Sequence, residues 1–77
     1  MTGAAEPVYF VLLFPSVSHV MKAEKILLKE EIPIKIIPVP KTISSDCGVC
    51  IRFEEKLVKK IKSILENHFE TMEFRKL

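Results

Sequence analysis

Apolar residues run without a break from Val8 to Phe14, and this is the densest hydrophobic stretch of the chain. It is aromatic and β-branched, with no polar alternation, so it predicts a central β-strand covered on both faces. Pro15 ends it, and Ser16 or Ser18 can cap the helix that follows. Val17, Val20, Met21, Ala23, Leu27 and Leu28 form the apolar side of that helix, which ends near Glu31 because Pro33 blocks continuation. Ile34–Val39 reads as a second strand; the prolines at 33, 38 and 40 suit it to a sheet edge.

A loop from Pro40 to Gly48 leads into a third strand, Val49–Phe53. There Val49, Ile51 and Phe53 share one face, and Cys50 and Arg52 point to the other. From Glu54 to about His68 the pattern is helical, carried by Leu57, Val58, Ile61, Ile64, Leu65 and Phe69. Glu54 and Glu55 sit where the positive end of that helix dipole favours them, and residues 71–75 suit a short fourth strand. Residues 1–7 show no periodicity and are expected to be a disordered N-terminus, with 8–77 forming a single domain. The order predicts an α/β (α+β) two-layer sandwich of ferredoxin-like β-α-β-β-α(-β) plan, with two helices on one face of a small mixed sheet. Its right-handed crossover joins the first two strands, and the third returns antiparallel.

A chain of 77 residues can fold as one domain but cannot enclose a deep substrate cavity. At 48% hydrophobic and 29% charged residues it reads as an ordinary soluble globule, and a net charge of +2 does not by itself argue for nucleic acid. The run Val8–Phe14 is too short to span a membrane and, preceded by Glu6 without a basic segment, is poorly flanked for a signal peptide. Two cysteines are too few for a secreted disulfide scaffold, which favours a reducing, cytoplasmic setting.

Both cysteines fall in the stretch Pro38-Val-Pro-Lys-Thr-Ile-Ser-Ser-Asp-Cys-Gly-Val-Cys50. Cys47 precedes Gly48, which adds no side chain and lets the backbone turn sharply beside the thiol. Cys50 is three residues on and enters a strand. Three extended steps separate the two Cα atoms by roughly 10 Å, against a disulfide limit of about 7 Å, unless the chain turns tightly at Gly48. Cys50 is then either an accessory thiol or a small filler on the second sheet face. Within the predicted topology the 40–48 loop shares one end of the sheet with the start of the first helix, near Ser16 to His19, and with His68 at the end of the second. A helix N-terminus nearby would lower the Cys47 pKa and raise its thiolate fraction.

Ser44 and Ser45 either donate hydrogen bonds to an anion or persulfide or cap a turn; Lys41 and Arg52 either steady an anionic loop or are solvated charges. The lysines at 56, 59, 60 and 62 form the wet side of the second helix or a docking patch for an acidic partner. Cys47, Cys50, His19 and His68 would make a two-sulfur, two-nitrogen zinc set if they converged, but one Cys-x-x-Cys without a second knuckle is a weak signal, and no metal or other cofactor is assigned. Single-stranded nucleic acid is disfavoured, because the open face of the third strand carries Cys50 and Arg52 instead of stacking aromatics, with no tryptophan and one tyrosine in the chain.

Phe14-Pro15-Ser16, Met21-Lys-Ala-Glu-Lys25 and, above all, Ile37-Pro-Val-Pro-Lys-Thr-Ile-Ser-Ser-Asp-Cys-Gly48 resemble the selenium/sulfur carrier protein-like family over roughly residues 8–70. The specific part is Pro40-Lys41-x-x-Ser44-Ser45-x-Cys47-Gly48. The resemblance implies that Cys47 is the carrier thiol, holding a persulfide or selenosulfide and passing it between a donor and an acceptor enzyme. It implies a carrier or adaptor in place of a stand-alone catalyst, working with protein partners; the residues themselves argue against nucleic acid and membrane. Lys41 stands where arginine is common in the family, which keeps the charge and loses the planar fork; Cys50 stands where a small apolar residue is usual. The alternative reading is a small regulatory, ligand-binding or protein-interaction module without covalent chemistry, homodimeric through the sheet.

Overall fold

A computed structural model describes residues 8–43 and 48–77. The elements follow in the order β1 (Tyr9–Leu13), α1 (Val17–Lys29), β2 (Lys35–Pro38), β3 (Val49–Glu54), a 3₁₀ turn (Glu55–Leu57), α2 (Val58–Leu65) and β4 (Glu73–Lys76). Every element read from the hydrophobic pattern is present, including the fourth strand. The assignment of residues 1–7 as a disordered terminus lies outside the described residues.

The four strands lie in the order β2-β3-β1-β4. β1 pairs antiparallel with both β3 and β4, and β2 pairs antiparallel with β3. The expected mixed sheet is therefore corrected to a wholly antiparallel one. β1 and β2 do run the same way, as the crossover requires, but β3 lies between them, so no parallel pair becomes adjacent. β2 and β4 take the two edges; β2 is short, begins beside Pro33 and carries an exposed lysine, features that blunt an edge against further pairing.

Strand alternation divides the sheet into two apolar faces. Leu12, Ile51 and Phe53 join Val20, Ala23 and Leu27 of α1 and Ile61 and Leu65 of α2 in the main core, so both helices cover the same face. Leu12, Leu27, Ile51, Ile61 and Leu65 have no exposed surface, and full burial of each such side chain stabilises by about 1.5–3 kcal/mol. The other face holds a smaller cluster of Val11, Leu13 and Cys50, with Ile37, Val39 and Ile43 packed on it. Val39 and Ile43 belong to the segment after β2, so part of the cysteine loop folds back over the helix-free face. This is how β1 comes to be buried on both sides.

The helix ends explain where the pattern stops. At the end of α1 the Ile32 N–H donates to Leu27 O and the Glu31 N–H to Leu28 O, both at 3.0 Å, and Glu31 takes φ 59°. These are the two bonds of a Schellman motif, with buried Ile32 completing its hydrophobic contact and a glutamate in the left-handed position that glycine usually fills. The second helix was expected unbroken from residue 54. It instead enters through the 3₁₀ turn, because Glu54 is still paired with Tyr9 and the Glu55 N–H is held by Val8 O at 2.8 Å, which leaves a tight turn as the way into the helix.

Candidate functional site

The registers fix which segments meet at one end of the sheet. Pro38 lies opposite Val49, Leu12 opposite Ile51, and Leu13 opposite Glu73. The end of β1, the end of β2 and the start of β3 therefore sit at the same rim, together with the start of α1 and the chain leaving α2. The base of the cysteine loop is thus found where the topology predicts it.

One step beyond the last β2–β3 pair, the Val39 N–H donates to Gly48 O at 3.0 Å and closes that base. The Ile43 N–H donates to Pro40 O at 2.9 Å, turning the outgoing limb tightly, and this turn carries exposed Lys41. Gly48 is exposed with φ 75°, and none of the described residues approaches within 4 Å of the position a β-carbon would occupy. Its requirement for glycine is thus one of backbone conformation, since L side chains rarely adopt that φ. Ser44, Ser45 and Cys47, three of the residues singled out in the sequence, lie outside the described residues.

Cys50 is fully buried in the open-face cluster. The filler position foreseen for it on the second sheet face is the one it occupies, and service as an accessory thiol would require the Val39–Ile43 cover to lift. The same cover bears on assembly: Val11 and Leu13, the apolar residues on which a sheet-mediated homodimer would rest, are already buried within the single chain. Arg52, two residues further along the same face, stacks its guanidinium over Tyr9 at 4.6 Å from the ring centroid. Tyr9 pairs with Glu54, farther from the loop than Arg52 itself, so the Arg52 charge is directed down the sheet. Lys56, Lys59, Lys60 and Lys62 are all exposed, and apart from a 3.9 Å approach of Lys56 to Glu54 they make no ion pair among the described residues.

The two histidines come together at the rim with an aromatic cluster. The rings of Phe14 and Phe69 lie 4.8 Å apart, and His19 is 6.4 Å from Phe14 and 5.9 Å from Phe69. Ser16 is the N-cap residue of α1, yet its hydroxyl makes no capping bond; it meets Nδ1 of His19. Lys22, one turn on, places its ammonium 5.5 Å from the Phe69 centroid. Beside this cluster opens a cavity of about 510 Å³ whose lining includes Ser18, His19, Lys22 and His68. Sequence reasoning placed both histidines at this rim but counted Phe69 only as core and assigned no role to Lys22. The available signal was that Phe14, His19 and Phe69 all map to the same end of the topology. Among the described residues no three histidine, cysteine, aspartate or glutamate side chains are grouped to hold a metal ion, and Cys50 lies across the sheet from the helices.

A family model described as "Putative Se/S carrier protein-like" matches residues 9–75, nearly the whole chain. The chain belongs to that family. No curated protein and no solved structure matches it. The match takes in both cysteines, the loop base and the rim, so membership in the Se/S carrier-like family extends across the entire two-layer fold. Among the described residues, no helix is long and apolar enough to cross a membrane.

Proposed function

We propose that this chain carries sulfur or selenium as a persulfide or selenosulfide on Cys47 and delivers it to a partner enzyme. The observation that carries the reading is the burial of Cys50: of the chain's two cysteines one is sealed between β1, β2 and the loop, which leaves Cys47 as the thiol for exchange with another protein. Family membership and the Cys47-Gly48 pair support the same residue.

The transfer is redox-neutral. The Cys47 thiolate attacks the outer sulfur of a persulfide on a donor protein; the donor S–S bond breaks, a new one forms on Cys47, and the donor cysteine leaves as a thiolate. Delivery repeats the step, with the acceptor's nucleophile attacking the outer atom and Cys47 leaving. Selenium travels by the same exchange as a selenosulfide. The chain contributes position and leaving group, and donor and acceptor proteins contribute the rest, as befits a carrier in a cytoplasmic, reducing setting. Lys41, Ser44 and Ser45 are the loop residues that would stabilise the anionic outer atom by charge and hydrogen bonds.

The reading is tested by incubating reduced protein with a cysteine desulfurase and cysteine and measuring the intact mass. Wild type and Cys50→Ala should each gain one sulfur atom, and Cys47→Ser none. An unmodified wild-type chain under conditions that load a control acceptor would overturn the proposal.

A further inference from the structure

The rim cavity has a chemistry that sulfur transfer does not use. At about 510 Å³ it falls within the size range of small-molecule sites. Its lining brings Lys22, His19, His68, Ser18 and Thr71, all with side chains able to donate hydrogen bonds, around one space. Two of these groups are held in place. Lys22 lies against Phe69, and His19 packs on the outside of the Phe14–Phe69 pair with Nδ1 engaged by Ser16. Because the Ser16 hydroxyl occupies Nδ1, Nε2 is the ring nitrogen of His19 left to meet a ligand.

From this convergence of donors on a cavity we propose that the rim binds a small phosphate-type anion, free or as a compact phosphomonoester. Five side chains able to donate match an oxyanion with three or more oxygens better than a carboxylate with two. The volume exceeds that of a bare oxyanion and leaves room for a small organic body. Among the described residues Glu70 is the one carboxylate in the lining, and it opposes the anion. That opposition sets the sign of a test. Removing its charge tightens an anion, whereas a ligand with an amino group would lose affinity. The site does not depend on Cys47 and stands or falls separately from carrier activity.

The test follows the His19 and His68 ring resonances by NMR as inorganic phosphate, glycerol phosphate or chloride is added at matched ionic strength. Saturable shifts of both rings with either phosphate, absent with chloride, are expected. Tighter binding of glycerol phosphate identifies an esterified ligand, and equal or tighter binding of inorganic phosphate identifies the free ion. Lys22→Ala should weaken binding about tenfold, Lys25→Ala on the same helix should leave it unchanged, and Glu70→Gln should tighten it. Shifts that chloride reproduces, shifts that do not saturate, or a Glu70→Gln variant that binds phosphate more weakly would each overturn the assignment.

Discussion

The Val39 amide donates to the Gly48 carbonyl at 3.0 Å, and this bond closes the base of the segment that contains Cys47. Gly48 can serve there because its φ of 75° is open to glycine and costly for residues with a β-carbon. Among the described residues no neighbour lies within 4 Å of where that β-carbon would be, so the opposition to a substitution that they show is that of the backbone. Gly48→Ala should therefore destabilise by about 1 kcal/mol, and Gly48→Asn by less, since asparagine tolerates the left-handed region. Urea denaturation of the two variants measures the difference. Equal stability of wild type and Gly48→Ala would show that the base does not hold this conformation in solution.

The burial of Cys50 predicts two classes of thiol. A thiol reagent added to the native protein should modify Cys47 and spare Cys50, and denaturant should release the second. In Cys47→Ser the remaining thiol should react no faster than the loop cover opens, a rate that slows as stabilising salt is added. Cys50→Ala removes one buried sulfur from the cluster with Val11 and Leu13 and should cost about 1 kcal/mol while leaving sulfur loading intact. Rapid labelling of native Cys47→Ser would mean that the cover does not protect Cys50.

Most of the frame was legible because the signals were local. The unbroken run through β1 marked a strand buried on both faces, and Val49, Ile51 and Phe53 alternated with Cys50 and Arg52 as a pleated strand demands. Local signals gave a poor account of partners. Nothing in the spacing of Val39 and Ile43 announced that they would fold over Val11 and Leu13, because that contact depends on the path of a loop. Arg52 looked like a charge near the cysteine loop until the register set Tyr9 beneath it. Phe69 read as one more apolar position of α2, although its ring lies past the end of that helix and joins it to the start of α1.

Glu31 supplies a prediction independent of function. It occupies the left-handed position that ends α1, where the side chain makes the conformation unfavourable by roughly 1–2 kcal/mol. Glycine removes that cost and adds back part of it as unfolded-chain entropy. Glu31→Gly should thus stabilise the fold by up to about 1 kcal/mol, and Glu31→Ala should not, because alanine keeps the β-carbon. A matched pair of melting curves decides the point; a gain in Glu31→Ala equal to that of Glu31→Gly would place the effect in the lost charge instead.

Phe69 fastens the rim. It is 8% exposed, lies 4.8 Å from Phe14 by ring centroids, and carries Lys22 and His19 on its remaining sides. Its backbone N–H is bound to Leu65 O at 3.1 Å, so the ring is held directly at the end of α2. Phe69→Ala should cost about 3–5 kcal/mol, a large share of the stability of so small a domain, and Phe69→Leu should retain much of the packing. The coupling between Phe14→Leu and Phe69→Leu should be about 0.5–1.5 kcal/mol, the worth of an aromatic pair beyond its buried area. A double-mutant cycle by urea denaturation measures it. Strict additivity would show that the two rings act separately, and the rim would then lack the anchor that positions His19 and Lys22.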